Sequence, residues 1–216
     1  MFKGIIFDLD GTLLDTIETI AYYGNTTLEK FGFKSIDTKK YNYMAGLGAK
    51  HLVKSMLSES GSEDEEVFER VFLDYNKSYN VDPLYKTEVY DGINELICNA
   101  KKHDMKLAVL SNKPHEATVD VINNFFDNGT FDICFGAREG VPLKPDPTPA
   151  IAVANKLGLS PEECIYVGDT DVDMKTGKGA GFYTVGVLWG FRDRQELEEN
   201  GADIIVSRPE EIADLF

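Results

Sequence analysis

Three short apolar segments of the chain each end in side chains that could carry chemistry. The first is followed by Asp8-Leu9-Asp10-Gly11-Thr12, the second by Ser111-Asn112-Lys113, and the third by Gly168-Asp169-Thr170-Asp171-Val172-Asp173. In an open parallel sheet, ligands bind beyond the carboxyl ends of the strands, where the winding direction changes. We therefore expect these three segments to converge on one crevice.

A crevice that gathers several aspartates needs a cation, because carboxylates brought close together repel one another. Asp8, Asp169 and Asp173 supply too few oxygens to enclose Ca²⁺, but they suit Mg²⁺, which keeps several waters and binds substrate phosphate. Lys144, in the proline-rich loop 142–147, adds a positive charge. A divalent cation beside a lysine and exposed backbone N–H groups is typical of a site for a phosphoryl group.

Each of these segments also has a purely structural interpretation. Asp-Gly is common in turns, and Ser111, Thr170 or Asp171 could cap the helix that follows it. The presence of all three segments at strand ends, together with Lys144, favours a functional site over a set of caps and turns.

The elements that must position these residues alternate along the chain. Apolar runs with many β-branched residues indicate strands that are buried on both faces, and helical patterns between them indicate a parallel sheet with crossover helices. The predicted strands are Gly4–Phe7, Lys106–Leu110, Ile133–Phe135, Cys164–Val167, Tyr183–Val187 and Asp203–Val206. The predicted helices are Ile93–Lys102, His115–Asn124, Pro147–Leu157, Asp171–Gly177, Gln195–Asn200 and Pro209–Phe216.

Residues 16–88 interrupt this alternation, because no strong strand pattern occurs in them. Amphipathic periodicity instead predicts helices there. We therefore expect an α/β core, formed by residues 1–15 and 89–216, with a helical cap domain of residues 16–88 inserted after the first strand. The predicted helices of the insert are Thr16–Phe31, Ala49–Glu59 and Asp64–Tyr79.

The 216 residues include 37 acidic and 22 basic ones, for a formal net charge of −15. This charge argues against binding to nucleic acid or to an anionic membrane over a broad surface. No apolar run reaches the ~20 residues of a bilayer helix, and the N-terminal apolar segment is too short for a signal peptide. The three cysteines form no CxxC pair, so we expect buried, reduced thiols in a cytoplasmic protein.

The charge is uneven within the insert. Residues 30–54 carry six lysines against one aspartate, whereas residues 59–74 carry seven acids against one arginine. The basic stretch is either a solvated helix face or a surface that attracts an anionic substrate.

The order of the motifs resembles that of the haloacid dehalogenase superfamily of phosphotransferases, in the phosphoglycolate phosphatase-like branch with a helical cap. The family pattern DxDGT, Ser or Thr, Lys and GDxxxD reads here Asp8–Thr12, Ser111, Lys144 and Gly168–Asp173. The resemblance covers nearly the whole chain. It implies an α/β fold with a Rossmann-like parallel sheet of about six strands and an inserted α-helical cap. It also implies hydrolysis of a small phosphate monoester, with 2-phosphoglycolate as the first choice.

The resemblance assigns catalytic and metal-binding roles. Asp8 would be the nucleophile that forms an aspartyl-phosphate, and Asp10 would protonate the leaving alcohol and then activate water. Mg²⁺ would be bound by Asp8, the backbone carbonyl of Asp10 and Asp169. Asp173 would be a further ligand or a support for the others.

The resemblance also assigns phosphate binding. Gly11 and Thr12 would bring backbone N–H groups to the phosphate, beside Ser111 and Asn112. Lys144 would offset negative charge on the nucleophile and on the phosphoryl group.

Residues that select the substrate are expected in two loops. Residues 44–51 resemble the specificity loop of the family, although a helix start with two glycines explains the same pattern. The carboxylate of 2-phosphoglycolate should meet a cation. The candidates for this cation are Lys50 and His51 in this loop and Arg192 near the C-terminus, and Gly48 is a further candidate specificity residue of the loop.

Other activities fit the same motifs. A β-phosphoglucomutase would share the core residues, and an inorganic pyrophosphatase is a further enzyme alternative. A receiver-like signalling domain also phosphorylates an aspartate, but it needs neither Asp10 nor a cap. The expected partner is a small phosphorylated metabolite, bound by a monomer or a homodimer.

Overall fold

The computed structural model describes all residues, 1–216, and the chain divides into two compact units. The α/β unit consists of Met1–Asp15 and Val89–Phe216, and the helical unit is Thr16–Glu88. The strands are β1 (Gly4–Phe7), β2 (Leu14–Asp15), β3 (Glu88–Val89), β4 (Lys106–Pro114), β5 (Ile133–Ala137), β6 (Cys164–Gly168), β7 (Tyr183–Val187) and β8 (Ile204–Val206).

Six strands form one sheet in the order β5-β4-β1-β6-β7-β8, and its neighbouring strands run parallel. Strands β2 and β3 pair separately. The predicted fold class, a six-stranded Rossmann-like α/β sheet, is confirmed. The chain winds from β1 through β4 to β5 on one side and returns to β6 on the other, so the winding direction changes at β1.

Strand β1 lies between β4 and β6 inside the sheet, and its four residues are all buried. Phe7 lies level with Val109 of β4 and Val167 of β6. The residue that follows, Asp8, and the Gly168-Asp169 segment therefore leave the sheet at the same carboxyl edge.

Strands β1 and β6 are buried at every residue, so both faces of the sheet are covered there, and 3₁₀ helices lie at Pro161–Glu163 and Pro209–Leu215. The helix predicted over 209–216 forms as a 3₁₀ helix that ends at Leu215. Strand β4 continues to Pro114, past its predicted end at Leu110, with an irregular register between these two residues. The helices are α5 (Ile93–Lys102), α6 (His115–Phe125), α7 (Thr148–Leu157), α8 (Asp171–Ala180) and α9 (Arg194–Glu199).

The helical unit has four helices rather than the three that periodicity predicts. The additional one is short, and it begins after Asp37, whose side chain accepts a hydrogen bond from the N–H of Lys39. Such a cap starts a helix of seven residues that is too short to show a clear periodicity. The helices are α1 (Ile17–Lys30), α2 (Thr38–Met44), α3 (Ala49–Glu59) and α4 (Glu65–Tyr79).

The basic and acidic stretches of the insert neutralise each other within the helical unit. Three lysines of residues 30–54 pair with acids of residues 59–74. This pairing favours the solvated-face interpretation of the charge pattern, since these lysines are already compensated. The pairs are Lys30 with Asp74, Lys40 with Glu59, and Lys54 with Glu65.

The helices of the protein are all too short or too polar to span a bilayer. All three cysteines are free thiols, and Cys164 is buried as expected. The expectation fails for Cys98, which is exposed because it lies on the solvent side of the amphipathic helix α5.

Candidate active site

A buried lysine joins two of the predicted aspartates at the carboxyl edge of the sheet. Asp8 follows β1, and its N–H donates to the carbonyl of Val167 at 2.9 Å. Lys144 Nζ lies 2.8 Å from Asp8 Oδ1 and 2.7 Å from Asp173 Oδ1. Only 2% of the Lys144 side chain is exposed, so this cation acts in a medium where its field is weakly screened.

The Lys144 loop is fixed by Asn112. The Asn112 Nδ2 group donates to the Lys144 carbonyl at 3.0 Å, and the Lys144 N–H donates to Asn112 Oδ1 at 2.9 Å. Asn112 was expected among the phosphate-binding residues. Its side-chain amide instead positions the backbone of the lysine.

Asp169 is oriented by hydrogen bonds to both of its oxygens. The Thr12 hydroxyl donates to Oδ1 at 2.9 Å, and the Phe191 N–H donates to Oδ2 at 2.8 Å. Gly11 has a φ of +82°, and a Cβ there would lie 2.3 Å from Asp169 Oδ2. Glycine is therefore required at position 11 by its left-handed backbone and by the approach of this carboxylate.

Asp8, Asp169 and Asp173 can each direct one oxygen into a cluster in which these atoms lie within 4.8 Å of one another. Burial, reinforced by Asp173, raises the pKa of Asp8 well above its ordinary value. The same two causes raise the pKa of Asp169 to about 7, against the hydrogen bonds from Phe191 and Thr12. A divalent cation would relieve this repulsion, and all-oxygen donors fit Mg²⁺.

Within this cluster, the Asp173 carboxylate makes the most hydrogen bonds to other groups of the protein. Its Oδ1 binds Lys144, and Tyr166 donates to the same oxygen at 3.3 Å. Its Oδ2 accepts from the Thr170 hydroxyl at 2.6 Å and from the Thr170 N–H at 3.1 Å. These contacts favour a supporting role for Asp173 and leave Asp8 and Asp169 as the residues that would hold a cation.

Asp10 lies apart from the three-carboxylate cluster. Its two carboxylate oxygens lie 2.9 and 3.2 Å from Lys113 Nζ. No specific role was predicted for Lys113, because a lysine after Ser-Asn carries no signal of its own. The expected metal contact of Asp10 is its backbone carbonyl, which the hydrogen bonds of the surrounding turn leave unused.

The turn after β1 uses different backbone donors from those expected. The Gly11 N–H donates to the Leu14 carbonyl at 2.8 Å, and the Thr12 N–H to the Leu9 carbonyl at 3.3 Å. The N–H groups of Leu9 and Asp10 have no acceptor within the chain. Leu9 is buried and Asp10 is half-buried, and N–H groups removed from water need a partner, so these two are the better candidates to bind a phosphoryl oxygen.

Ser111 completes the set of candidate phosphate ligands. Its Oγ accepts a hydrogen bond from the Lys113 N–H at 3.1 Å, and its own hydroxyl proton stays available. Ser111 is 4% exposed, and it follows Leu110 at the same edge of the sheet as Asp8.

The candidate specificity residues are divided between the two units. Arg192 lies in the α/β unit, where it is buried and its Nε pairs with Glu196 at 2.9 Å. Gly48 precedes α3 with a φ of +84°. In the same helical unit, Lys50 Nζ lies 5.9 Å from the centre of the Phe72 ring. His51 Nδ1 lies 3.4 Å from the Met44 carbonyl oxygen.

If Mg²⁺ binds this carboxylate cluster, its stabilising effect should increase with pH. The folded pKa of Asp169, about 7, lies above its ordinary value of 3.8. Its contribution to stability is therefore complete below about pH 4 and is lost as the pH rises through about 7. Since Mg²⁺ binds the ionised carboxylate, we expect it to raise the melting temperature more at about pH 8 than at about pH 5.5. Asp169→Asn should abolish this difference, and an equal rise at both pH values would contradict the assignment.

Comparisons with known proteins agree with this geometry. Residues 5–187 match the family described as haloacid dehalogenase-like hydrolase. The phosphoglycolate phosphatase of Aquifex aeolicus (strain VF5) is 32% identical over 98% of this chain and 95% of its own length. An N-acetylmuramic acid 6-phosphate phosphatase of Pseudomonas putida is 27% identical over 97% of this chain and 94% of its own.

The solved structures include a close match in fold. A candidate phosphoglycolate phosphatase from Lactobacillus delbrueckii subsp. bulgaricus superposes with a TM-score of 0.93 at 28% identity, over 99% of this chain and 98% of that one. The expected resemblance and the expected enzyme class, a phosphatase of the phosphoglycolate phosphatase type, are confirmed. The chain belongs to the haloacid dehalogenase-like hydrolase family.

Proposed function

We propose that this chain hydrolyses a small phosphate monoester through a phosphorylated Asp8, with Mg²⁺ as cofactor and 2-phosphoglycolate as the preferred substrate. The observation that carries the proposal is the buried Asp8–Lys144 pair at the end of the central strand. Beside it lie the unpartnered N–H groups of Leu9 and Asp10. The names of the relatives support the choice of substrate.

The chemistry divides one displacement into two steps. In the first, an Asp8 oxygen attacks phosphorus, the bond from phosphorus to the ester oxygen breaks, and Asp10 donates a proton to the leaving alkoxide. In the second, Asp10 takes a proton from water, which attacks phosphorus, releases inorganic phosphate and restores the Asp8 carboxylate. Lys144 offsets the charge on both anions throughout. Mg²⁺ supplies further positive charge when Asp8, Asp169 and the Asp10 carbonyl bind it.

The helical unit, residues 16–88, serves in this proposal as the cap that selects the leaving group. Lys50 is the candidate for binding the carboxylate of 2-phosphoglycolate. Lys50→Met should raise the KM for 2-phosphoglycolate roughly tenfold and leave that for p-nitrophenyl phosphate unchanged. The matched control is Lys30→Met, because Lys30 already pairs with Asp74. Equal KM values in wild type and Lys50→Met would remove Lys50 from substrate recognition.

A phosphate-release assay over several substrates tests the proposed reaction. The substrates are 2-phosphoglycolate, N-acetylmuramic acid 6-phosphate, a sugar phosphate with and without its bisphosphate, and pyrophosphate. We expect the highest kcat/KM with 2-phosphoglycolate, and loss of release when a chelator removes Mg²⁺. Activity that survives the chelator would overturn the metal assignment. Isomerisation of the sugar phosphate that requires the bisphosphate, without steady release of phosphate, would instead show a mutase.

A further inference from the structure

Lys113 makes an ion pair that the proposed reaction does not yet explain. Its ammonium group lies within hydrogen-bond distance of both oxygens of Asp10. The lysine side chain is only 6% exposed, whereas that of Asp10 is 20% exposed. A buried cation that spans both oxygens restricts the orientation of the carboxylate.

The backbone of Lys113 is itself fixed at both of its polar groups. Its N–H donates to Ser111 Oγ, and its carbonyl accepts from the Thr118 hydroxyl at 3.2 Å. The lysine lies in β4, within the irregularly paired part between Leu110 and Pro114. Because Leu110 and Pro114 both pair with β5, the sheet holds this part at both ends, and Lys113 can act as a rigid support.

We infer that Lys113 is a positioning residue that sets the place of the Asp10 carboxylate for proton transfer to the leaving group. The inference rests on the proposed function, because it assumes that Asp10 is the proton donor. Without Lys113, the partly exposed Asp10 side chain would gain rotamers that point into solvent. A misplacement of about 1 Å can lower the rate of a positioned proton transfer by roughly 10²-fold.

The dependence of kcat/KM on the leaving group separates positioning of Asp10 from a general structural role. The constant kcat/KM covers the steps up to release of the leaving group, so the second displacement does not affect it. p-Nitrophenyl phosphate needs little proton donation, whereas ethyl phosphate and 2-phosphoglycolate release an alkoxide that must be protonated. Lys113→Met should lower kcat/KM by roughly 10²-fold for both alkyl esters and by less than about threefold for the aryl ester.

Three further variants complete the test. Lys113→Arg should recover most of the alkyl activity, since it retains a cation opposite Asp10. Lys178→Met is the matched control, because Lys178 forms an ion pair with Asp203 at the surface, 2.8 Å apart. This variant should leave kcat/KM unchanged for all three substrates. In an Asp10→Asn background, Lys113→Met should not lower kcat/KM for the alkyl esters any further, because both substitutions remove the same proton transfer.

Several results of these measurements would contradict the positioning role of Lys113. Equal losses for aryl and alkyl esters, or full additivity with Asp10→Asn, would overturn the inference. A loss confined to 2-phosphoglycolate, seen as a higher KM, would assign Lys113 to the substrate carboxylate and overturn it as well. Failure of the proposed function is recognised separately, because the wild-type protein would then release no phosphate from any of the three esters. If Lys113→Met does not fold, Lys113→Gln replaces it under the same criteria.

Discussion

Lys144→Met is expected to lower kcat/KM for phosphate release by roughly 10³-fold. Lys144 is the buried cation that pairs with Asp8 and Asp173, and it lowers the pKa of Asp8 against the effect of burial. Its removal leaves the nucleophile more protonated, and it also removes charge compensation from the phosphoryl group. The measurement is steady-state phosphate release with saturating Mg²⁺.

The same substitution should destabilise the protein. Removing one partner of a buried ion pair costs roughly 3–5 kcal/mol, since the other charge loses its compensation. The melting temperature should therefore fall by roughly 10 °C. In the double variant Lys144→Met/Asp173→Asn, one of the two carboxylates that Lys144 compensates is removed, so stability should return in part while activity does not. Recovery of activity in the double variant would contradict the role given to Lys144.

Asp8→Asn should lower phosphate release by roughly 10⁴-fold or more, because an amide oxygen cannot replace the carboxylate as a nucleophile. The shape of the side chain is retained, and one of three buried like charges is lost. The metal-free variant should therefore melt no lower than the wild-type protein at about pH 8, where the carboxylates repel most. A large loss of activity without a lower melting temperature would show that the substitution removes the nucleophile and does not unfold the protein. A rate within about tenfold of wild type would rule out Asp8 as the nucleophile.

The sheet and the meeting of its strand ends could be predicted because they follow from local patterns. Buried strands have continuous apolar sequences, which can be recognised directly. Because parallel strands end at the same edge of the sheet, the polar residues that follow Phe7 and Val167 must lie close together. The continuation of β4 through Lys113 could not be predicted in this way. Polar residues inside a strand are stabilised by the tertiary site and not by propensity, so Ser111-Asn112-Lys113 looked like a loop.

The partners of the site side chains were harder to predict than the site residues themselves. A lysine pairs with whichever carboxylate the fold brings within reach, so sequence spacing gave no indication that Lys113 contacts Asp10, 103 positions away. Asn112 has two donors and an acceptor for any neighbouring backbone, and only the path of the Lys144 loop decides its use. One helix of the insert, α2, was missed for a related reason, because its start depends on a capping side chain and not on periodicity.

Reductive trapping of the phosphorylated enzyme would identify the nucleophilic aspartate. Borohydride reduces an aspartyl-phosphate to homoserine, and peptide mass spectrometry then locates the modified residue. Asp10→Asn with p-nitrophenyl phosphate and Mg²⁺ should accumulate the intermediate, because the first step needs little proton donation while the second lacks its base. We expect homoserine at position 8 and nowhere else. Phosphate release with no modification at Asp8, or with modification at another aspartate, would contradict the assignment of Asp8 as the nucleophile.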